Sequence, residues 1–191
     1  MRKFSGKAFS AALVLVACST FANAGDVYVV GTIGSTMATD SANSDLRNSV
    51  KSAGGTASDL SNGTGFKALL GFQVSEHLAI EGGYISVGTL STTLKVGSSS
   101  AVIDLKGTGF NVAVLGIVPV NDQFSVFGKL GYTSAKLEGS TTGFSSSQTK
   151  SSAGYGLGAS YKLSQMLAIR GEFEKLYDDV NMASISLKFN F

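Results

Sequence analysis

The sequence predicts an all-β fold, an eight-stranded antiparallel up-and-down transmembrane β-barrel. Segments of about ten residues alternate apolar and polar side chains with period two. Short turns and long loops rich in Ser, Thr and Gly alternate between those segments. No long stretch carries the periodicity of an amphipathic helix.

The closing strand is the clearest. Ala183, Ile185, Leu187, Phe189 and Phe191 fall on one face, and Ser184, Ser186, Lys188 and Asn190 on the other. A slip of one residue would carry Lys188 into apolar surroundings, so the register is well specified. Gly154 to Leu163 repeats the design, with Tyr155, Leu157, Ala159, Tyr161 and Leu163 opposing Gly154, Gly156, Gly158, Ser160 and Lys162. From Leu167 to Tyr177, the apolar face holds Leu167, Ile169, Phe173 and Tyr177, against Arg170, Glu172 and Glu174. Lys175 falls on the apolar face near the strand end, where a lysine can snorkel to water. Further strands are expected near 26–34, 63–74, 78–90, 103–118 and 124–137. The faces of the first and fourth stay open, since Val112 to Val118 is almost continuously apolar and a bulge would fit there.

The turns at Ser75–His77, Pro119–Gln123 and Ser164–Met166 are short. The loops at Ser35–Asn62, Ser91–Val102 and Gly139–Ser152 are long, and Tyr177–Asn181 is shorter. In an outer-membrane barrel this pattern puts the turns and both termini on the periplasmic side. A ten-strand barrel would need a hairpin in 35–62, where Asp40, Asn43, Asp45, Arg47, Asn48, Lys51, Gly54 and Gly55 resist one. A short helix around 43–52 is expected there instead.

The N-terminus reads as an export signal. Arg2, Lys3 and Lys7 precede the short apolar run Ala8 to Ala17, and Ala22-Asn23-Ala24 is a small-x-small cleavage site. Residues 1–24 are therefore set apart as a cleaved signal peptide, with the barrel over 25–191. The alternative is a lipobox, Leu15-Val16-Ala17-Cys18, which would make Cys18 a lipidation site. With cleavage after Ala24 the sole cysteine leaves, and no thiol remains for disulfide or redox chemistry. The signal takes three of the fifteen basic residues, so twelve face thirteen acidic ones. That balance gives no basis for nucleic-acid binding.

A soluble barrel also alternates, with its apolar residues inside. Here the polar face is rich in Gly and Ser, which suits a narrow interior. Aromatics also gather near the strand ends: Phe72, Phe124, Tyr161, Phe189 and Phe191 on the turn side, and Phe66, Tyr84, Tyr132, Tyr155 and Tyr177 on the loop side. Two such belts are favoured at membrane interfaces.

The segment GFKALLGFQVSEHLAIEGGYISVG at 65–88, and GLGASYKLSQMLAIRGEFEKLYDDV with ISLKFNF toward the end, resemble the outer-membrane protein A-like transmembrane barrel family. The resemblance covers the barrel alone, so the peptidoglycan-binding function of larger relatives is not carried over. It implies that Glu81, Lys129, Arg170 and Glu172 point into the lumen, and each also falls on the inner face of its expected strand. Charges in so narrow a space must be paired. They would act as a structural plug or, alternatively, as a gate in a narrow ion path. The family's second interior pair maps to about Val114 and Ser160, which puts a family-like gate in doubt. Phe191 and Phe189 resemble the C-terminal signal read by the outer-membrane assembly machinery, although Ser186 stands where Gly is usual.

Catalytic, metal and cofactor-binding residues are not expected. The single histidine, His77, falls in a short turn, on the wrong side for a lipid-modifying barrel enzyme. Gly154-x-Gly156-x-Gly158 lies within a strand and does not form a phosphate loop. The expected function is thus a non-enzymatic barrel of the bacterial outer membrane, serving envelope integrity or surface interaction. A small diffusion channel is the alternative, and a lipid-modifying enzyme stands third. Expected partners are outer-membrane lipid and lipopolysaccharide, the assembly machinery and an extracellular ligand for the loops, with the protein itself a monomer.

Overall fold

The computed structural model describes residues 27–141 and 144–191. The export signal, with Ala22, Ala24 and Cys18, lies outside the described residues. The elements are β1 (Val27–Ala38), α1 (Asp40–Ser52), β2 (Gly55–Ala57), β3 (Gly63–Ser75), β4 (Leu78–Val96), β5 (Ser99–Pro119), β6 (Phe124–Thr141), β7 (Phe144–Lys162), β8 (Leu167–Tyr177) and β9 (Val180–Asn190). All pairings are antiparallel. β1 pairs with both β3 and β9, while β4 pairs with β5, so every strand except β2 belongs to one closed eight-stranded ring. Closure leaves no edge within the ring.

Alternation sets the two faces. Lys129 is 4% exposed and its neighbour Leu130 is 72% exposed, the first facing the lumen and the second the outside. The outer wall is an apolar band that includes Ile33, Ile80, Val112, Leu157, Ile169 and Leu187. Phe72, Tyr161, Phe189 and Phe191 are exposed at its turn end. At its loop end Phe66, Tyr84, Tyr132 and Tyr155 are exposed, and Phe110 joins them. Phe66 and Tyr84 lie 5.8 Å apart, and Tyr84 and Phe110 6.3 Å apart, between ring centroids. Phe110 has no sequence-based placement, because it lies within the strand whose faces alternation leaves open.

Two side chains lie on the face opposite to the one expected. Tyr177 does not join the outer belt but is buried inside. The β8–β9 register shifts between Lys175 and Tyr177, and this bulge turns both Leu176 and Tyr177 inward. Lys175, just before it, is partly exposed, with its Nζ 3.6 Å from Asp178. Val114 is no interior position either. It faces outward on β5 between the buried Ala113 and Leu115. Ser160 does line the interior, at the turn end.

Two of the expected long loops are strand instead. β4 and β5 stay paired to Val96↔Ser99, and β6 and β7 to Thr141↔Phe144, so 91–102 and most of 139–152 are strand rather than loop. Beyond the apolar band most residues of these hairpins are exposed on both faces, although Thr92 is buried against the segment before β3. Polar residues are then tolerated everywhere, and the period-two signal vanishes although the ladder continues. Gly97 takes φ +61° at the β4–β5 turn, and Gly88 takes φ +72° at a bulge in β4, conformations that favour glycine. The segment after β1 holds α1, longer than the expected 43–52. Thr39 caps it by accepting the Ala42 N–H at 3.3 Å, and Asp40 and Lys51 suit its two ends. The Arg47–Asp59 ion pair ties α1 to the following segment, and β2 adds three residues to the β4 edge.

Glycines give the lumen its room. A Cβ on Gly71 would meet the Tyr28 ring at 2.1 Å, and one on Gly158 would meet the Phe127 ring at 2.4 Å. Gly158→Ala is accordingly expected to destabilise the barrel by about 1–3 kcal/mol through overpacking. Urea unfolding in lipid vesicles would show the lowered midpoint.

Candidate functional site

The inner face of β3 presents Lys67, β4 Glu81, β6 Lys129, and β8 Arg170, Glu172 and Glu174. None of these six is more than 6% exposed. Glu172 is the hub. Its Oε1 accepts from Lys129 Nζ at 2.8 Å and Lys67 Nζ at 3.2 Å, and its Oε2 lies 3.5 Å from Arg170 Nη2. Glu174 accepts from Lys67 and lies 3.2 Å from Lys129 Nζ. Glu81 accepts from Arg170 Nη1 and, at 3.0 Å, from the Tyr28 hydroxyl, with Lys129 Nζ 3.9 Å away. The Arg170 guanidinium also stands 4.4 Å over the Phe127 ring. Three cations thus meet three carboxylates, and the layer is formally neutral.

The structure brings together the four residues singled out from sequence, Glu81, Lys129, Arg170 and Glu172. It adds Lys67 and Glu174, which the sequence reading left out of the network. Lys67 was open to detection. It is the only charged residue of β3 and alternates with the outward-facing Phe66, Ala68, Leu70 and Phe72. Glu174 follows Glu172 by two residues on the same face.

Apolar layers cover the charges on both sides. Toward the turns lie Tyr28, Val30, Leu69, Ala79, Ala113, Leu115 and Phe127. Toward the loops lie Ile85, Val87, Leu90, Ala135, Leu176, Tyr177 and Met182, with Leu60 packed against them. Away from bulk water, ion pairs are strongly coupled and an unpaired member is costly. A vestibule of about 490 Å³ opens at the turn end, lined by Ile117, Phe124, Lys162 and Lys188 and reaching Tyr28 and Arg170. Lys188 Nζ stands 3.8 Å over the Tyr28 ring and donates to Gln73 at 3.3 Å.

His77 is exposed in its turn, 3.5 Å from Glu76. Above the apolar band Lys136 donates to Glu138 at 2.6 Å and holds that carboxyl below the usual carboxylate range. Among the described residues there is no group of His, Cys, Asp or Glu that could hold a metal ion. The Phe189 and Phe191 rings pack edge to face at 5.4 Å on the outer wall.

An apolar outside around a charged inside inverts a soluble barrel and defines a transmembrane one. The chain belongs to the outer membrane protein beta-barrel domain family, which it matches over residues 8–191. It is thus an outer-membrane β-barrel protein. Among solved structures it is similar to neisserial surface protein A, at 12% identity and TM-score 0.61 over 86% of this chain and 97% of that one. It is similar to the N-terminal barrel of Pseudomonas aeruginosa OprF, at 9% identity and TM-score 0.56 over 88% and 99% of the two chains. Ail, the attachment invasion locus protein of Yersinia pestis, shares 18% identity at TM-score 0.51 over 87% and 97%. At these identities the likeness concerns the fold. Among curated proteins no sequence matches.

Proposed function

We propose that the protein is a non-enzymatic structural barrel whose lumen is plugged, serving envelope integrity and presenting hairpins at the cell surface. The observation that carries this reading is the neutral six-residue charge layer buried between two apolar layers, with Arg170 at its turn-end side reaching the vestibule. An eight-stranded interior is just wide enough for side chains to fill. The charges fix strand register, since slipping one strand would strand a buried ion. The short turns and both termini face the periplasm, and the long hairpins face outward. The apolar band contacts outer-membrane lipid and lipopolysaccharide, the Phe189–Phe191 end serves as the assembly signal, and the barrel stands as a monomer in its membrane.

The turn-end vestibule favours a second reading, a narrow channel gated at Arg170. Planar-bilayer recording separates the two. The plug predicts no steady conductance in the wild type. Steady wild-type pores that Arg170→Ala abolishes would defeat it.

A further inference from the structure

We propose that the free edge of β7 above the barrel is a self-recognition edge, which pairs antiparallel with the same edge of a second copy standing in an opposed membrane. β7 pairs with β6 from Phe144 to Tyr161, but with β8 only from Tyr155 to Lys162. Residues 145–153 therefore carry a ladder on one side, and among the described residues no strand pairs with the other. At the far side of the same protruding sheet, β2 pairs with the β4 extension and α1 packs against β2. One edge is capped and the other is open.

Exposed edges are normally blunted by proline, bulges, charge or a covering element. Ser145-Ser146-Ser147-Gln148-Thr149-Lys150-Ser151-Ser152-Ala153 has one lysine, no proline and no acid, and its β6 pairing runs without a register shift. The segment is self-complementary. Centred on Thr149, an antiparallel pair sets Thr149 against Thr149, Ser151 against Ser147, and Lys150 against Gln148. Hydroxyls face hydroxyls, and no like charges stand directly opposite.

Membrane geometry selects the partner. Barrel strands tilt by about 35–45°. Two copies in one membrane, related by an axis along its normal, would cross their edges at roughly twice that tilt and could not zip. Copies in facing membranes, related by an axis perpendicular to the sheet, lay the edges fully antiparallel. One such ladder falls well short of the roughly 1,000 Å² of a stable soluble complex. Many copies on two apposed surfaces act multivalently.

In cells this rests on the β7 hairpin facing outward. Vesicles holding barrels in both orientations test the pairing itself, so its failure is distinct from a wrong topology. The full chain in a Cys18→Ser background is reconstituted into two vesicle populations, one carrying a size-tagged copy. Folding of each variant is checked by heat-modifiable gel mobility. Wild-type vesicles should aggregate by light scattering. Thr149→Lys, which sets like charges opposite each other, should abolish aggregation while the barrel stays folded. Thr149→Cys should yield tagged–untagged disulfide dimers only after mixing, because directly paired residues lie within disulfide reach. Lys150→Cys, offset from its twin along the ladder, should not. Vesicles that stay dispersed, aggregation that survives Thr149→Lys, or equal cross-linking at the two positions would overturn the proposal.

Discussion

Replacing Glu172 with alanine should cost the barrel about 3–5 kcal/mol, the scale for breaking a buried ion pair from one side. Glu172 contacts Lys67, Lys129 and Arg170 together. Its loss leaves three cations facing two carboxylates between apolar layers, with no bulk water to take up the imbalance. Glu172→Gln keeps the shape and some hydrogen bonds yet removes the charge, so most of the loss should persist. Adding Lys129→Ala restores a neutral layer and should recover part of the stability. A double-mutant cycle from urea unfolding in lipid vesicles measures that coupling. If the single and double losses simply add, the layer does not act as a unit.

Leu187→Arg should be the most damaging change on the outer wall, at about 2–4 kcal/mol for a charge near the membrane mid-plane. Leu187 is exposed in the last strand, flanked across the sheet by Gly31 and Ile169. The matched control is Ser140→Arg. Ser140 is exposed on the same face of β6 as Tyr132, eight residues further along and beyond the Lys136–Glu138 pair, so that substitution should be nearly neutral. The yield of heat-modifiable folded barrel in the membrane fraction distinguishes them. Equal assembly of both variants would mean that the apolar band does not meet lipid.

How legible the chain is depends on where water lies. Within the membrane band each residue meets either lipid or a packed lumen, and this contrast writes period two into β7, β8 and β9. Above the band the contrast disappears, so Ser91 to Val102 and Gly139 to Ser152 looked like loops although their ladders continue. A bulge changes the phase without marking the sequence. That is why Tyr177, in phase with Phe173, was placed outside and lies inside. Val114 failed for a related reason: with apolar residues on both faces of β5, alternation cannot orient it. Four network members were legible because the family resemblance points them into the lumen and alternation puts each on the inner face of its strand; Glu174 shares that face with Glu172, but the resemblance does not single it out. Lys67 carries the same alternation signal as the only charged residue of β3, a strand that the resemblance does not mark with a lumen charge.

The central claim, a closed lumen holding buried and paired lysines, is tested most directly by covalent labelling. The folded barrel in vesicles is treated with a membrane-impermeant amine reagent, and modification is read for each lysine by mass spectrometry. Lys67 and Lys129 should stay unmodified until the barrel is unfolded, while Lys106, Lys136 and Lys150, exposed on the hairpins, react. Modification of Lys67 or Lys129 in the folded barrel at the rate of those hairpin lysines would contradict a sealed charge layer.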